Sequence, residues 1–342
     1  MNVMWDKALG CLLAGLIGDA MGRPTEGKEP EEIAAQFGWV SDFEGDGTDD
    51  SIMKHILADA LIKTGGFATI DDWASECLAQ RDLIRSKQNR FFISVQHTVR
   101  KLQAGYLPKA ASIGNMASSS SAMCIAPVGI VNAGHPRAAA AQAEELASLL
   151  HSGDVAFCQD AAAAVAAAVA SAFLPGATPE SVVNDAVRYL KPTSGREMIR
   201  LIGDAAELAR RSPDYERFRR DYHARFRQSS PIDSRETVPA ALALTLLANG
   251  DPKDAVIYGA NFGRDTDTIA TMAGAICGAL RGASSLPPQW VEKVQAASGR
   301  DQTLLAKRLI ETAVTKAETE LNAWQAARRV HFAPGIGEGG VL

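Results

Sequence analysis

Apolar residues recur at intervals of three and four over stretches longer than ten, as at Ile52, Ile56, Ala60 and Leu61, while alternating apolar and polar runs are nearly absent. A chain with that period buries its apolar residues as helical stripes, so the expected fold class is all-α. Gly and Pro punctuate the helical pattern at 22–30, 45–47, 65–66, 105–108, 127–136, 175–176, 250–252 and 282–288, and this spacing predicts a dozen or more helices. Arg137–Leu150 and Asp160–Phe173 are rich in Ala, which has the highest helix propensity and leaves little bulk between helix axes. Both are expected to be central core helices.

At 342 residues a chain can bury roughly three quarters of its unfolded surface, so neither disulfides nor a structural metal is needed to hold a core. No composition break divides two cores. The expectation is one compact multi-helix domain over 1–330, followed by a loose glycine-rich tail over 331–342.

Composition narrows the function classes. With 35 Lys and Arg against 40 Asp and Glu, the net charge is −5, and the broad cationic field that duplex nucleic acid requires is missing. Five scattered cysteines, never spaced as C-x-x-C, form neither a readable disulfide framework nor a thiolate zinc site, and fit a reducing cytoplasm. The apolar run Ala8–Gly18, flanked by Asp6 and Asp19, is about half the length of a membrane helix. No membrane span or targeting signal is therefore expected. Between 204 and 227, Arg210, Arg211, Arg217, Arg219, Arg220, Arg225 and Arg227 alternate with Asp214, Glu216 and Asp221. That mixture reads as a solvated, salt-bridged helix rather than a phosphate site.

Two short segments carry the chemistry. Gly47-Thr48-Asp49-Asp50-Ser51-Ile52 leads from a glycine-rich loop into a helical pattern, and Gly263-Arg264-Asp265-Thr266-Asp267-Thr268-Ile269 repeats the layout far along the chain. Helix capping accounts for one Asp or Thr in each turn. Two carboxylates in one turn repel each other, and four brought together need positive charge nearby. Carboxylate and hydroxyl oxygens without His or Cys select a hard divalent ion such as Mg²⁺, Mn²⁺ or Ca²⁺. The pattern leaves phosphoryl and glycosyl chemistry equally open.

At these residues the sequence resembles the ADP-ribosylglycohydrolase family. The N-terminal motif of that family is similar to Gly15-Leu16-Ile17-Gly18-Asp19-Ala20-Met21-Gly22-Arg23-Pro24-Thr25-Glu26. Its first acidic motif resembles Thr48-Asp49-Asp50-Ser51, and its last resembles Asp265-Thr266-Asp267-Thr268 followed by Ala273-Gly274-Ala275. Between them, Gly114-Asn115 and Ser121-Ala122-Met123 through Pro127-Val128-Gly129 resemble its substrate loop, His151 matches a family His, and Glu236-Thr237-Val238-Pro239 resembles a further signature. The resemblance implies an all-helical fold with two divalent cations, Mg²⁺ or Mn²⁺, held by Thr48, Asp49, Asp50, Asp265, Asp267 and Thr268 against ribose hydroxyls. It also implies that Glu26 and Asp49 are catalytic, with Glu26 beside the anomeric carbon. There it would handle a proton or stabilise an oxocarbenium-like state.

Other residues have a structural and a functional reading. Cys11, Gly15, Gly18 and Gly22 make a stripe of small residues suited to close helix packing. Asp19 beside that stripe is expected to orient the metal ligands. It joins Gly114, Asn115, Ser121, His151 and Arg264 as residues expected around the substrate. His151 equally suits a helix end, and the run Ser118–Ser121 suits either a flexible loop or a phosphate cradle. Arg264 stands where Gly is commoner in the family and would touch a substrate anion or an acidic ligand. The loop after Gly114-Asn115 is longer and less basic than the family pattern, with Cys124 at the position of the usual Arg. The segment Ile93-Ser94-Val95-Gln96-His97-Thr98 also lacks an Asp common in relatives.

The expected function is therefore metal-dependent hydrolysis of a ribosyl N- or O-glycosidic bond, in an ADP-ribosylated target or in a smaller nucleoside-like molecule. A non-catalytic relative and a phosphohydrolase are the competing readings.

Overall fold

The computed structural model describes residues 3–331, with side chains described as far as Arg329. Among them are eighteen α-helices and no strand, so the all-α class and the helical period agree. In chain order these are α1 (Val3–Gly22), α2 (Pro30–Phe37), α3 (Asp49–Lys63), α4 (Ile70–Ala79), α5 (Arg81–Ser86) and α6 (Ile93–Gln103). They continue as α7 (Pro108–Ala111), α8 (Ala126–Val131), α9 (Pro136–Ala147), α10 (Phe157–Ala172), α11 (Pro179–Arg188) and α12 (Arg196–Arg211). The last six are α13 (Tyr215–Phe226), α14 (Ser234–Leu247), α15 (Pro252–Ala260), α16 (Thr266–Arg281), α17 (Pro288–Ala297) and α18 (Gln302–His331). From 332 onward, the tail expected over 331–342 lies outside the described residues.

The centre of the molecule is the crossing of α1 and α16. Every residue of α1 from Ala8 to Gly22 is buried, as is α16 from Thr266 to Leu280. Glycine makes the approach possible. A Cβ on Gly18 would stand 2.3 Å from the Ala270 carbonyl oxygen, and one on Gly22 would stand 2.4 Å from the Asp267 Cα. The small-residue stripe is thus a packing device with a consequence for the acidic residues, because it presses the C-terminal end of α1 against the first turn of α16. Adding a methyl group there forces the axes apart, at a cost of about 1–3 kcal/mol.

The two alanine-rich stretches separate in rank. All of α10 from Asp160 to Ala172 is buried, as expected of a central helix. By contrast α9 buries one stripe, with Ala139, Ala140, Ala143, Leu146 and Ala147 inward and Arg137, Gln142 and Glu145 left partly or fully exposed, so it flanks the core. The stretch Gly153–Ala172 is long and apolar enough to cross a membrane, yet 83% of its apolar window is buried among other helices. The arginine-rich segment forms α12, α13 and the turn between them. It buries Tyr215, Phe218, Tyr222 and Phe226 and pairs its arginines outward: Arg210 with Glu180 at 2.6 Å, Arg217 with Asp221 at 2.7 Å and Arg219 with Glu216 at 2.7 Å.

Candidate metal centre

The two acidic turns meet across the α1–α16 crossing. Thr48 is the N-cap of α3, its hydroxyl accepting from the Asp50 N–H, and Asp49 and Asp50 fill the first turn. Asp265 is the N-cap of α16, with Asp267 and Thr268 in its first turn. All six side chains are buried. The hydroxyls bridge the turns, with Thr48 Oγ1 donating to Asp267 Oδ2 at 3.4 Å and Thr268 Oγ1 donating to Asp50 Oδ1 at 3.5 Å. Two further donors point the outer carboxylates: the Phe92 N–H gives to Asp49 Oδ2 at 2.8 Å, and Ser119 Oγ gives to Asp265 Oδ2 at 2.9 Å.

Glu26 follows a 3₁₀ turn at Arg23–Thr25 that leaves the end of α1. Its loop is clasped to the second acidic turn by two backbone bonds of 2.7 Å, Gly27 N–H to Arg264 O and Arg264 N–H to Lys28 O. This brings one carboxylate oxygen each of Glu26, Asp265 and Asp267 within 4.8 Å of one another, with Glu26 on the solvent side.

The electrostatics are one-sided. Burial, then repulsion from Asp19, Asp49 and Asp265, holds the Asp50 carboxyl well above the usual range; burial and repulsion from Asp50 and Asp265 do the same to Asp267. Burial is also the first cause that pushes Asp49 and Asp265 up to about 7 and raises Glu26, the last with Asp19 as its repelling neighbour. The nearby buried cation is Lys54, whose Nζ reaches Ser51 Oγ at 3.5 Å and whose own protonation is disfavoured by burial. One such ammonium does not offset six carboxylates. Asp50 Oδ2 and Asp267 Oδ1 are buried without a hydrogen-bond partner among the described residues, a costly state for a carboxylate oxygen unless it receives a cation. Oxygen donors alone, in this number, fit hard divalent ions.

Several residues expected around the substrate are committed to partners within the protein. Asp19 is fully buried and does not reach the surface: its Oδ1 accepts from the Thr48 N–H at 2.7 Å, and its Oδ2 from Ser51 N–H at 3.0 Å and Ser51 Oγ at 2.6 Å. It caps α3 from a neighbouring helix. Gly47 must be glycine beside it, since a Cβ would fall 2.1 Å from Asp19 Oδ2. Asn115 Nδ2 donates to Ser94 O, Thr98 Oγ1 and Leu150 O, while its Oδ1 is buried without a partner among the described residues. Gly114, at φ +82°, supplies the exposed turn before it.

The serine run is neither a flexible loop nor an open phosphate cradle. Ser118–Ser121 are buried, and Ser118 Oγ and Ser121 Oγ lie 2.9 Å from Nε2 and Nδ1 of His151. Burial pushes the His151 imidazole down to about 4, so it is neutral and serves as a post inside this hydroxyl network. Ser119 alone of the run is bonded to an acidic residue of the centre. Arg264 takes a left-handed backbone at φ +67°, which explains why glycine suits the position. Its guanidinium is committed to Glu236, at 2.5 Å and 3.1 Å, and to Gln228 O at 2.8 Å, with Glu29 at 3.8 Å. It therefore pairs with a buried acid outside the metal set instead of offering itself to an anion. Sequence reasoning did not single out Lys54, whose burial comes from tertiary packing, or the Phe92 amide, a backbone group with no side-chain signal, and it weighed Ser119 only as part of the serine run.

Comparisons with known proteins converge on this architecture. The family model described as ADP-ribosylglycohydrolase matches residues 2–319. An uncharacterized protein, YegU, of Escherichia coli (strain K12) is 27% identical over 336 residues, covering 88% of this chain and 97% of the relative. The ADP-ribosylarginine hydrolase Tri1 of Pseudomonas putida (strain GB-1) is 31% identical over 315 residues, covering 84% of this chain and 74% of its own. A solved structure titled ADP-ribosylglycohydrolase-related protein complex aligns with a TM-score of 0.68 at 19% identity, over 92% of this chain and all of that one.

Proposed function

This chain belongs to the ADP-ribosylglycohydrolase family, and on that premise we propose that it is a divalent-metal-dependent hydrolase that cleaves the glycosidic bond to an ADP-ribosyl group. The observation that carries the reading is the pair of orphaned oxygens, Asp50 Oδ2 and Asp267 Oδ1, where two acidic turns from opposite ends of the chain meet. Thr48, Asp49, Asp50, Asp265, Asp267 and Thr268 would hold two Mg²⁺ or Mn²⁺ ions. Ions bound there would supply positive charge for fixing ribose hydroxyls and lowering the cost of a water-derived nucleophile.

The chain's own residues do the rest. Asp19 fixes the first turn of α3, so Thr48 and Asp50 are aimed before substrate arrives. Ser119 and the Phe92 amide fix one oxygen each of Asp265 and Asp49, leaving the other for a cation or substrate. Glu26, on the open side and with its affinity for protons raised, can take a proton from water at a carboxylate oxygen. As an anion it can stabilise charge developing at the anomeric carbon.

The relative named as an ADP-ribosylarginine hydrolase makes an arginine-linked ADP-ribosyl group the first substrate to test. A second reading, hydrolysis of a smaller N-riboside, is favoured by the substrate loop. Cys124 stands buried at the position of the usual Arg, and the serines beside it turn inward, so this segment offers no cation to a pyrophosphate. Turnover assayed with Mg²⁺ or Mn²⁺, with and without chelator, against ADP-ribosylarginine, ADP-ribosylated protein and free nucleosides separates the two by product mass. Chelator-sensitive release of ADP-ribose is the expected result, and release of ribose from a nucleoside alone selects the second reading. Absence of turnover on every substrate would contradict both and restore the non-catalytic alternative.

A further inference from the structure

The last helix leaves the body of the protein. Up to Ala313, α18 is docked through Leu305, Ala306, Leu309, Ile310 and Ala313, and Lys316 makes the final anchor, its Nζ donating to Asn132 Oδ1 at 2.6 Å. From Ala317 to Arg329 every side chain is exposed. Thirteen exposed residues of helix thus run over roughly 20 Å, a length at which an isolated helix is marginal in water, and the first of them, Ala317, Glu318 and Glu320, still border a groove with Met4 and His135.

This uncovered segment is not uniformly polar. Ala317, Leu321, Trp324 and Ala327 recur at spacings of four, three and three, and so share one face. Leu321 is 53% exposed and Trp324 60% exposed. The charges are arranged about the same point. Glu318 and Glu320 precede Trp324, Arg328 and Arg329 follow it, and none of the four joins an ion pair among the described residues. Arg328 instead lies over the Trp324 ring at 5.6 Å.

We propose that the free end of α18 is a self-association surface, pairing antiparallel with the α18 of a second copy of this chain about a two-fold axis near Trp324. A sequence with acids four and six residues before a point and bases four and five residues after it is self-complementary only in that orientation. Each chain sets Glu320 level with Arg328 of its partner and Glu318 within one residue of Arg329, and the Leu321–Trp324 faces meet between them. Parallel pairing would place acid against acid and base against base.

Sedimentation velocity on the full chain from about 1 to 100 μM tests this, a range that brackets weak pairing of one helix face. Wild-type protein is expected to pass from monomer to dimer, and Trp324→Glu with Leu321→Glu to remain monomeric. Two charge variants, Glu318→Arg/Glu320→Arg and Arg328→Glu/Arg329→Glu, should each weaken dimerisation by about 30-fold or more, through four lost exposed pairs. Mixed one to one, they should restore the dimer as a heterodimer. All these side chains are exposed, so circular dichroism and melting of the monomer should match wild type. A wild-type protein that stays monomeric throughout the range, or charge variants that dimerise as the wild type does, would overturn the proposal.

Discussion

Around Asp50 and Asp267 charge of one sign is buried, whereas between α12 and α13 charge of both signs lies on the surface. The surface region is a cleft of about 950 Å³, lined by Arg200, Arg211, Arg217, Arg220 and Arg225 among others. Three of these arginines, Arg200, Arg211 and Arg217, are paired with Asp204, Glu207 and Asp221 one helical turn away. In the acidic centre Lys54 is the nearby buried cation, and Asp50 Oδ2 and Asp267 Oδ1 are left unpartnered among the described residues. What distinguishes a site from a solvated surface here is whether the fold itself neutralises the charge it concentrates.

Substitutions can break this contrast. Asp267→Asn removes a ligand and an unanswered charge together, and turnover should fall roughly a thousandfold or more, in line with the several kcal/mol that a bound cation supplies. Unchanged kcat would place the chemistry elsewhere. Glu236→Ala should leave Arg264 buried without its carboxylate and cost about 3 kcal/mol of stability, seen as a lower denaturant midpoint. Asp19→Asn keeps the volume but weakens the acceptor that fixes α3. Divalent-ion affinity should drop roughly 10–100-fold with little change in melting temperature.

The pH dependence follows from the same imbalance. Asp49 and Asp265 hold their protons up to about 7 in the folded, cation-free chain, against an ordinary value near 3.8, so the folded state binds more protons between those limits. Stability contributed by this uptake is present at low pH and lost as pH rises through 7. Cation-free protein should therefore melt at a higher temperature at pH 5.5 than at pH 8, and saturating Mg²⁺ should flatten that slope. At the small end, Arg217→Ala in the surface cleft breaks an exposed pair with Asp221 and should change stability by less than about 1 kcal/mol, with activity intact.

The sequence made some of this legible and concealed the rest for a physical reason. Helical period, alanine-rich packing and the two acidic turns are local properties, and the all-helical fold follows from them. The fates of Arg264, His151 and the serine run depend on residues distant in sequence: Glu236 lies 28 positions from Arg264, and Ser118 lies 33 from His151. Asp19 was readable as a supporting residue from its place beside the glycine stripe, but not the capping of α3, which needs the close α1–α16 crossing. Lys54 gave no local signal, because its burial beside Ser51 comes from tertiary packing.

The central claim is that the two acidic turns form one cation site. Calorimetric titration of Mn²⁺ into chelator-treated wild-type protein and into an Asp50→Asn/Asp267→Asn double variant tests it without any assumption about substrate. Saturable binding to wild type, abolished in the folded double variant, is the predicted result, and equal binding to both proteins, or none to wild type, would contradict it.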